Sequence, residues 1–175
     1  MRCITDSAVR YALGVMAQSA SDAVQCAGGS IFDWAAAGWD VTVYAPDVIC
    51  SRAIDIVGAR CGDLQTLLNQ DASLPKVLVI TTGLHAANNR VKECVEYAVK
   101  RQVAEVVFVD ARAHDAADGD ALSRVLGSAA RAFKQHAIHA SGVQIDVIDP
   151  SEHFCRPADV GSEHLLNSLC VTRPA

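Results

Sequence analysis

Val77-Leu-Val-Ile-Thr-Thr-Gly-Leu-His-Ala-Ala-Asn-Asn-Arg-Val-Lys-Glu-Cys-Val-Glu-Tyr-Ala-Val-Lys-Arg-Gln-Val-Ala-Glu-Val-Val-Phe-Val109 reads as a strand, a helix and a second strand. Its two ends, Val77 to Ile80 and Val106 to Val109, are apolar β-branched runs with little polar alternation. That is the pattern of strands covered on both faces, as in a parallel sheet between helical layers. Between them Val91, Cys94/Val95 and Ala98 recur at helical spacing, and Arg90, Glu93, Glu96, Lys100 and Arg101 take the remaining surface of a helix over 87–101. Glu96 and Lys100 also form an i,i+4 pair in the favourable orientation.

Working outward, Val41-Thr-Val-Tyr44 reads as a preceding strand, and Val143-Gln-Ile-Asp-Val-Ile148, which alternates more, as an edge strand. A helix is expected over 119–140, with Leu122, Val125/Leu126, Ala129 and Phe133 inward and Gly142 as its stop. A short extra strand fits Arg60-Cys-Gly-Asp63, after a helix over about 52–57. The first 38 residues carry the stripe Val24, Ala27/Gly28, Ile31 and Ala35, ended by Gly38, and read as helical; a strand at Ala12-Leu-Gly-Val-Met16 is the weaker alternative. Strands alternating with helices predict right-handed βαβ units. The expected fold is a three-layer Rossmann-like α/β sandwich with a mainly parallel sheet of four to five strands and a helical N-terminal extension. One domain is expected over 1–175, with the extension at 1–38, a βαβ core at 39–150 and a C-terminal tail at 151–175 that packs on the body or on a second copy.

Composition narrows the function classes. At 175 residues, 51% apolar and 20% charged, with mean hydropathy +0.20, the chain can bury a core without staples and is far from disorder. No apolar stretch approaches the roughly 18–20 residues of a membrane span, and the N-terminus has no basic start with an apolar stretch, so no membrane role and a cytoplasmic location are expected. The net charge of −5 and the scattered basic residues, eleven Arg and four Lys, disfavour nucleic acid. Seven cysteines without a C-x-x-C pair read as reduced thiols. Cys94 is expected to act as a small apolar residue on a helix face, and Cys50, just past a strand end, is the thiol to watch.

Ala27-Gly-Gly-Ser-Ile-Phe-Asp-Trp-Ala-Ala-Ala-Gly-Trp-Asp-Val-Thr-Val-Tyr-Ala-Pro-Asp47 has small residues, a helix, a glycine and a β-run ending in an acid, the ingredients of a dinucleotide site. The fingerprint requires its glycines directly after a strand, whereas Gly28-Gly29 falls inside a helical pattern, so close helix packing is the preferred reading. The same stretch resembles, in fragments, the zinc-dependent de-N-acetylases that act on GlcNAc-linked substrates, in which a strand leads to His-Pro-Asp-Asp-Glu and then to a Gly-Gly helix. Aligned on Gly28-Gly29, the metal-binding segment here is Ser19-Ala-Ser-Asp-Ala23 after Gln18. Ser19 stands at the histidine position and Ser21 at the first carboxylate, leaving Asp22; the second histidine motif has a faint echo in His85-Ala-Ala-Asn-Asn-Arg90. The resemblance implies a copy without the family's zinc chemistry, and it favours the strand at 12–16. A broader resemblance to a group of actinobacterial α/β proteins runs through Ala27 to Trp34, Ala37 to Val43, Arg52 to Arg60, Ala104 to Val107 and Ala129 to Lys134, and implies fold and common origin without an activity.

Ligands of open parallel sheets gather beyond the carboxyl ends of the strands. The rim residues there are Asp47, Cys50, Thr81, Thr82, His85, Asp110, Arg112, His114, Asp149, Ser151 and His153. The candidate site is Asp47, Thr82, His85, Asp110, Arg112 and His114, suited to acid-base work or anion binding. The acids of Asp115-Ala-Ala-Asp-Gly-Asp120 are expected to favour a helix N-terminus. His136 and His139, three apart on one helix, read as a solvated face. No metal or cofactor is expected, and no nucleophile elbow, Walker loop, His-Glu-x-x-His or EF-hand is present. Trp34 and Trp39 mark a partner surface if exposed and core if buried. The favoured reading at this level is a non-catalytic, self-associating binding or interaction domain. The alternative is a small-molecule or nucleotide-binding enzyme using the carboxyl-end rim.

Overall fold

The computed structural model describes residues 11–46, 51–69, 74–111 and 121–157. In chain order these form β1 (Ala12–Met16), α1 (Ala20–Ala36), β2 (Asp40–Ala45), α2 (Arg52–Ile56), β3 (Arg60–Asp63), α3 (Leu64–Asn69), β4 (Val77–Thr81), α4 (Thr82–Ala87), α5 (Asn89–Arg101), β5 (Glu105–Asp110), β6 (Ala121–Val125), α6 (Ser128–Ala140) and β7 (Ser151–Cys155). The strands make one sheet in the order β3-β2-β1-β4-β5-β7-β6. The first five are parallel neighbours, and β7 runs antiparallel to both β5 and β6.

Strand alternation sorts the core into two layers. Leu13, Val15, Val41, Val43, Val77, Val79, Val107, Val109 and Phe154 point to one face, where α1, α2 and α6 cover them. Met16, Leu78, Ile80 and Val106 point to the other, under α3, α4 and α5. This is the three-layer α/β sandwich expected, and the unalternating β4, buried at all five positions, shows why it read as a doubly covered strand. Trp34 is buried and is a core residue, while Trp39 is half-buried and packs at the core margin beside Tyr11. Cys94 packs against the second layer as a small apolar residue, while His136 and His139 are exposed on α6.

Several expectations need correction. The preferred helical reading of residues 12–16 is wrong: they form β1, in the middle of the sheet with β2 and β4 on either side, so residues 12–36 are a strand and a helix of the sheet body rather than a helical extension. Among the described residues the sheet has seven strands rather than four to five. The helix expected over 119–140 is two elements, β6 and then α6, and its buried face is Ala130, Lys134, Ala137 and Ile138. Ala129, Phe133 and Val125 are exposed. Residues 143–148 join no ladder; Val143, Ile145 and Ile148 pack against the core as irregular chain, and the strand at that end of the sheet is β6. Residues 151–155, read as the start of a tail, are β7 inside the sheet. The rest of that tail, 158–175, lies outside the described residues.

Buried charge ties the last elements to α1. Glu152, 2% exposed, accepts from the amides of Gly29 and Ser30, both at 2.9 Å, and pairs with Lys134 Nζ at 2.8 Å. Beside it Arg124 pairs with Asp33 at 2.8 Å and lies over the Trp34 ring. Burial raises the Asp33 carboxyl above its ordinary range, against the pull of Arg124. The glycine pair is therefore a packing device. Gly28 faces Lys134, and a Cβ on Gly29 would lie 2.5 Å from Leu126 Cδ1. No helix among the described residues is long and apolar enough to cross a membrane.

Candidate functional site

Strand order reverses direction between β1 and β4, because β1 continues to β2 on one side while β4 and β5 build the other. Side chains beyond the carboxyl ends of these two strands border the crevice in which open α/β sheets bind ligands. From β1 the chain passes Gln18 and enters α1 at Ser19, whose hydroxyl caps the helix by accepting from the Asp22 amide at 3.1 Å. Asp22 reaches back to accept from the Gln18 amide at 3.0 Å, a reciprocal arrangement like a capping box. Its Oδ2 also accepts from the Thr81 hydroxyl at the end of β4, at 2.7 Å. One residue later, at the start of α4, Thr82 donates to Asp110 Oδ2 at the end of β5, at 2.5 Å. Both Thr–Asp pairs border the crevice.

A cleft of about 350 Å³ opens there, bordered by Asp22, Gln25, Cys26, Thr81, Thr82 and Asp110. Cys26 donates to Asp22 Oδ1 at 3.4 Å. Burial, then the Asp22 and Asp110 carboxylates, push this thiol up to about 12, so it remains a donor and not a thiolate nucleophile. A groove of similar size runs along the β3 edge near Tyr44, Arg60 and Asp63, but Arg60 is paired with Asp40 and Asp63 accepts from Thr66. It is remote from the switch point.

Of the residues proposed from sequence, Thr82 and Asp110 are brought together in the cleft. His85 is not part of its lining; its ring packs 4.8 Å from that of Phe108, and burial, then Lys92, lower its pKa, which keeps the imidazole neutral at pH 7. Asp47, Arg112 and His114, with Cys50, lie outside the described residues. Farther along the rim, His153 is the register partner of Asp110. Ser151 donates to Asp149 Oδ1 through both its amide and its hydroxyl, each at 2.9 Å, and its Oγ lies 3.5 Å from His153 Nε2. Asp22, Gln25 and Cys26 were missed as rim residues because β1 was read as helix. Ser19 followed three residues later by Asp22 was the available signal, since it marks a helix start.

The residues at the de-N-acetylase ligand positions do not fit zinc. Ser19 is engaged as the helix cap, Ser21 accepts from Gln25 at 2.8 Å, and both oxygens of Asp22 have donors. Zinc sites use histidine, cysteine and carboxylate ligands, and no group of three such side chains comes together among the described residues.

No protein-family model matches the chain, and no curated protein matches it. Solved structures do. A triple mutant of a deacetylase involved in the teicoplanin biosynthetic pathway is similar at 14% identity with a TM-score of 0.60, over 85% of this chain and 99% of that one. A conserved protein from Thermus thermophilus is similar at 16% identity and a TM-score of 0.58, over 87% and 97%. The deacetylase of the antimicrobial A40926 pseudoaglycone is similar at 15% identity and 0.53, over 75% and 81%. The comparison agrees with the resemblance carried by Gly28-Gly29 and overturns the reading of a non-catalytic interaction domain, together with the lean away from an enzyme. That reading rested on missing motifs, whereas the architecture is one that solved deacetylases use. The chain shares the fold of these deacetylases.

Proposed function

We propose that the chain is an enzyme acting on a small polar molecule held in the rim cleft, with no zinc at the ligand positions of the de-N-acetylases. The observation that carries this is the pair of Thr–Asp hydrogen bonds bordering one cleft at the β1/β4 switch point, Thr81 to Asp22 and Thr82 to Asp110. Carboxylates and hydroxyls at one cleft accept hydrogen bonds from ligand hydroxyl or amino groups, and a carboxylate can take up a proton. No lysine or arginine borders the cleft among the described residues. The amino end of α1, where a nucleotide phosphate would sit, already holds the protein's own Asp22 carboxylate. The favoured ligand is therefore a neutral or cationic, donor-rich small molecule such as a polyol, a sugar or an amine, rather than a nucleotide.

The test is a thermal-shift and calorimetric screen of sugars, amino sugars, polyols and nucleotides, with and without a chelator. A ligand at 100 times its Kd stabilises the native state by about 2.7 kcal/mol, which is readily seen. The expected result is a hit among the donor-rich compounds that survives chelation. It should weaken roughly tenfold or more in Asp110→Asn, because a charge-assisted hydrogen bond to the ligand is lost. Binding that persists unchanged in Asp110→Asn and in Thr82→Val, or that requires added zinc, overturns the reading.

A further inference from the structure

The antiparallel strand β7 carries a group of side chains that the cleft does not use. Glu152 and Phe154 point into the core, so Ser151, His153 and Cys155 point to the opposite face, where all three are half-buried. The Ser151 hydroxyl oxygen stands 3.5 Å from His153 Nε2 and 2.9 Å from Asp149 Oδ1. His153 faces Asp110 across the β5–β7 ladder. Directly opposed residues on antiparallel strands have Cβ atoms about 4.5–5.5 Å apart, within reach of each other's polar ends. A hydroxyl, an imidazole and a carboxylate thus follow one another along the rim, and that carboxylate is the Asp110 already held by Thr82.

We propose that Ser151 is a nucleophile with His153 as its base, so that the enzyme acts on a carboxylic ester or amide by acyl transfer to serine. This rests on the reading of the rim as an active site, and it supplies a chemistry that needs no metal. An alcohol nucleophile requires a base within hydrogen-bond reach and a third group that orients the base, a requirement of geometry and not of motif. The Asp149 contacts alone are a turn that starts β7; they account for the Ser151 amide and hydroxyl, but not for an imidazole nitrogen brought to the same oxygen. A distance of 3.5 Å lies at the loose end of nucleophile–base hydrogen bonds.

Rotation about the Ser151 Cβ–Oγ bond hands the hydroxyl proton from Asp149 to His153 Nε2. Oγ then bonds to the substrate carbonyl carbon while the proton passes to Nε2 and the carbonyl electron pair moves onto its oxygen. Collapse of this adduct breaks the bond to the leaving alcohol or amine, which takes the proton from His153, and leaves acyl-Ser151. Water repeats the sequence, giving the carboxylic acid and free Ser151. No electrons are exchanged with a second reagent.

The full chain treated with an alkyl fluorophosphonate, followed by intact-mass and peptide mapping, tests this. A single adduct on Ser151 is expected. It should be absent in Ser151→Ala and formed roughly 100-fold or more slowly in His153→Gln, both with native thermal midpoints, and hydrolysis of p-nitrophenyl acetate should fall in parallel. No adduct on Ser151 in the folded chain, or equal labelling of His153→Gln, overturns the proposal. If ligand binding that depends on Asp110 persists while Ser151 stays unlabelled, acyl transfer falls and the cleft reading stands. Labelling without any cleft ligand supports the nucleophile and counts against the cleft.

Discussion

Cys26 shows how one side chain responds to its setting. Its thiol is buried one helical turn after Asp22 and feels Asp110 as well, which moves it from 9.0 to about 12. In the unfolded chain the proton leaves near the ordinary value, whereas the native state keeps it. Stability contributed by this group is therefore full below about pH 9 and is lost as pH rises toward 12, with a slope of about 1.4 kcal/mol per pH unit inside that window. Urea midpoints measured from about pH 8 to about pH 10.5 should fall more steeply for the native chain than for Cys26→Ala, because only the former carries the linked proton. Parallel slopes would show that the thiol is not so held. Nothing in the composition announced this residue. A cysteine four positions after an aspartate takes on that character only once α1 is known to start at the sheet rim.

Among the elements, α1 is the most tightly constrained by neighbours. Alanine at position 29 improves helix propensity by up to about 1 kcal/mol, yet its Cβ would run into Leu126 at 2.5 Å. Overpacking of this kind costs about 1–3 kcal/mol, so Gly29→Ala is expected to be destabilising on balance. In a double-mutant cycle read by chemical denaturation, Leu126→Ala should absorb a good part of that loss; simple additivity would place the strain elsewhere. The helix itself was legible from its stripe, as were β2, β4, β5 and α5, because their periodicities agree with their environments. β1 was not, since Ala12, Leu13 and Met16 favour helix and Gly14 weakens a strand. Its conformation is imposed by parallel partners on both sides, and at Gly14 a Cβ would make tight contacts of 3.0–3.2 Å with the Pro75, Leu78 and Tyr44 side chains. In β6, Leu122 and Val125 fall at helical spacing by coincidence, Leu122 facing the core and Val125 solvent. Of the site, Thr82 and Asp110 were readable as strand-end residues, while Asp22 depended on β1 and was lost with it.

For the molecule as a whole, the junction of α1, α6, β6 and β7 is held by charges that no periodicity reveals. Glu152→Ala would leave Lys134 buried without its partner and two α1 amides without their acceptor. A loss of about 3–5 kcal/mol in urea unfolding is expected, and a loss under about 1 kcal/mol would mean that water reaches the junction. The same insertion of β7 between β5 and β6 governs the order in which the chain can assemble. During synthesis the five parallel strands can pair as they emerge, but β6 and α6 leave the ribosome before the strand that connects them to the sheet. At about 5–20 residues per second this leaves an open β5 edge and an unanchored β6 for a time on the order of seconds. A bare sheet edge is a template for pairing with other chains. The step most exposed to misassembly is therefore the arrival of residues 151–155, which closes that edge and delivers the carboxylate that Lys134 requires.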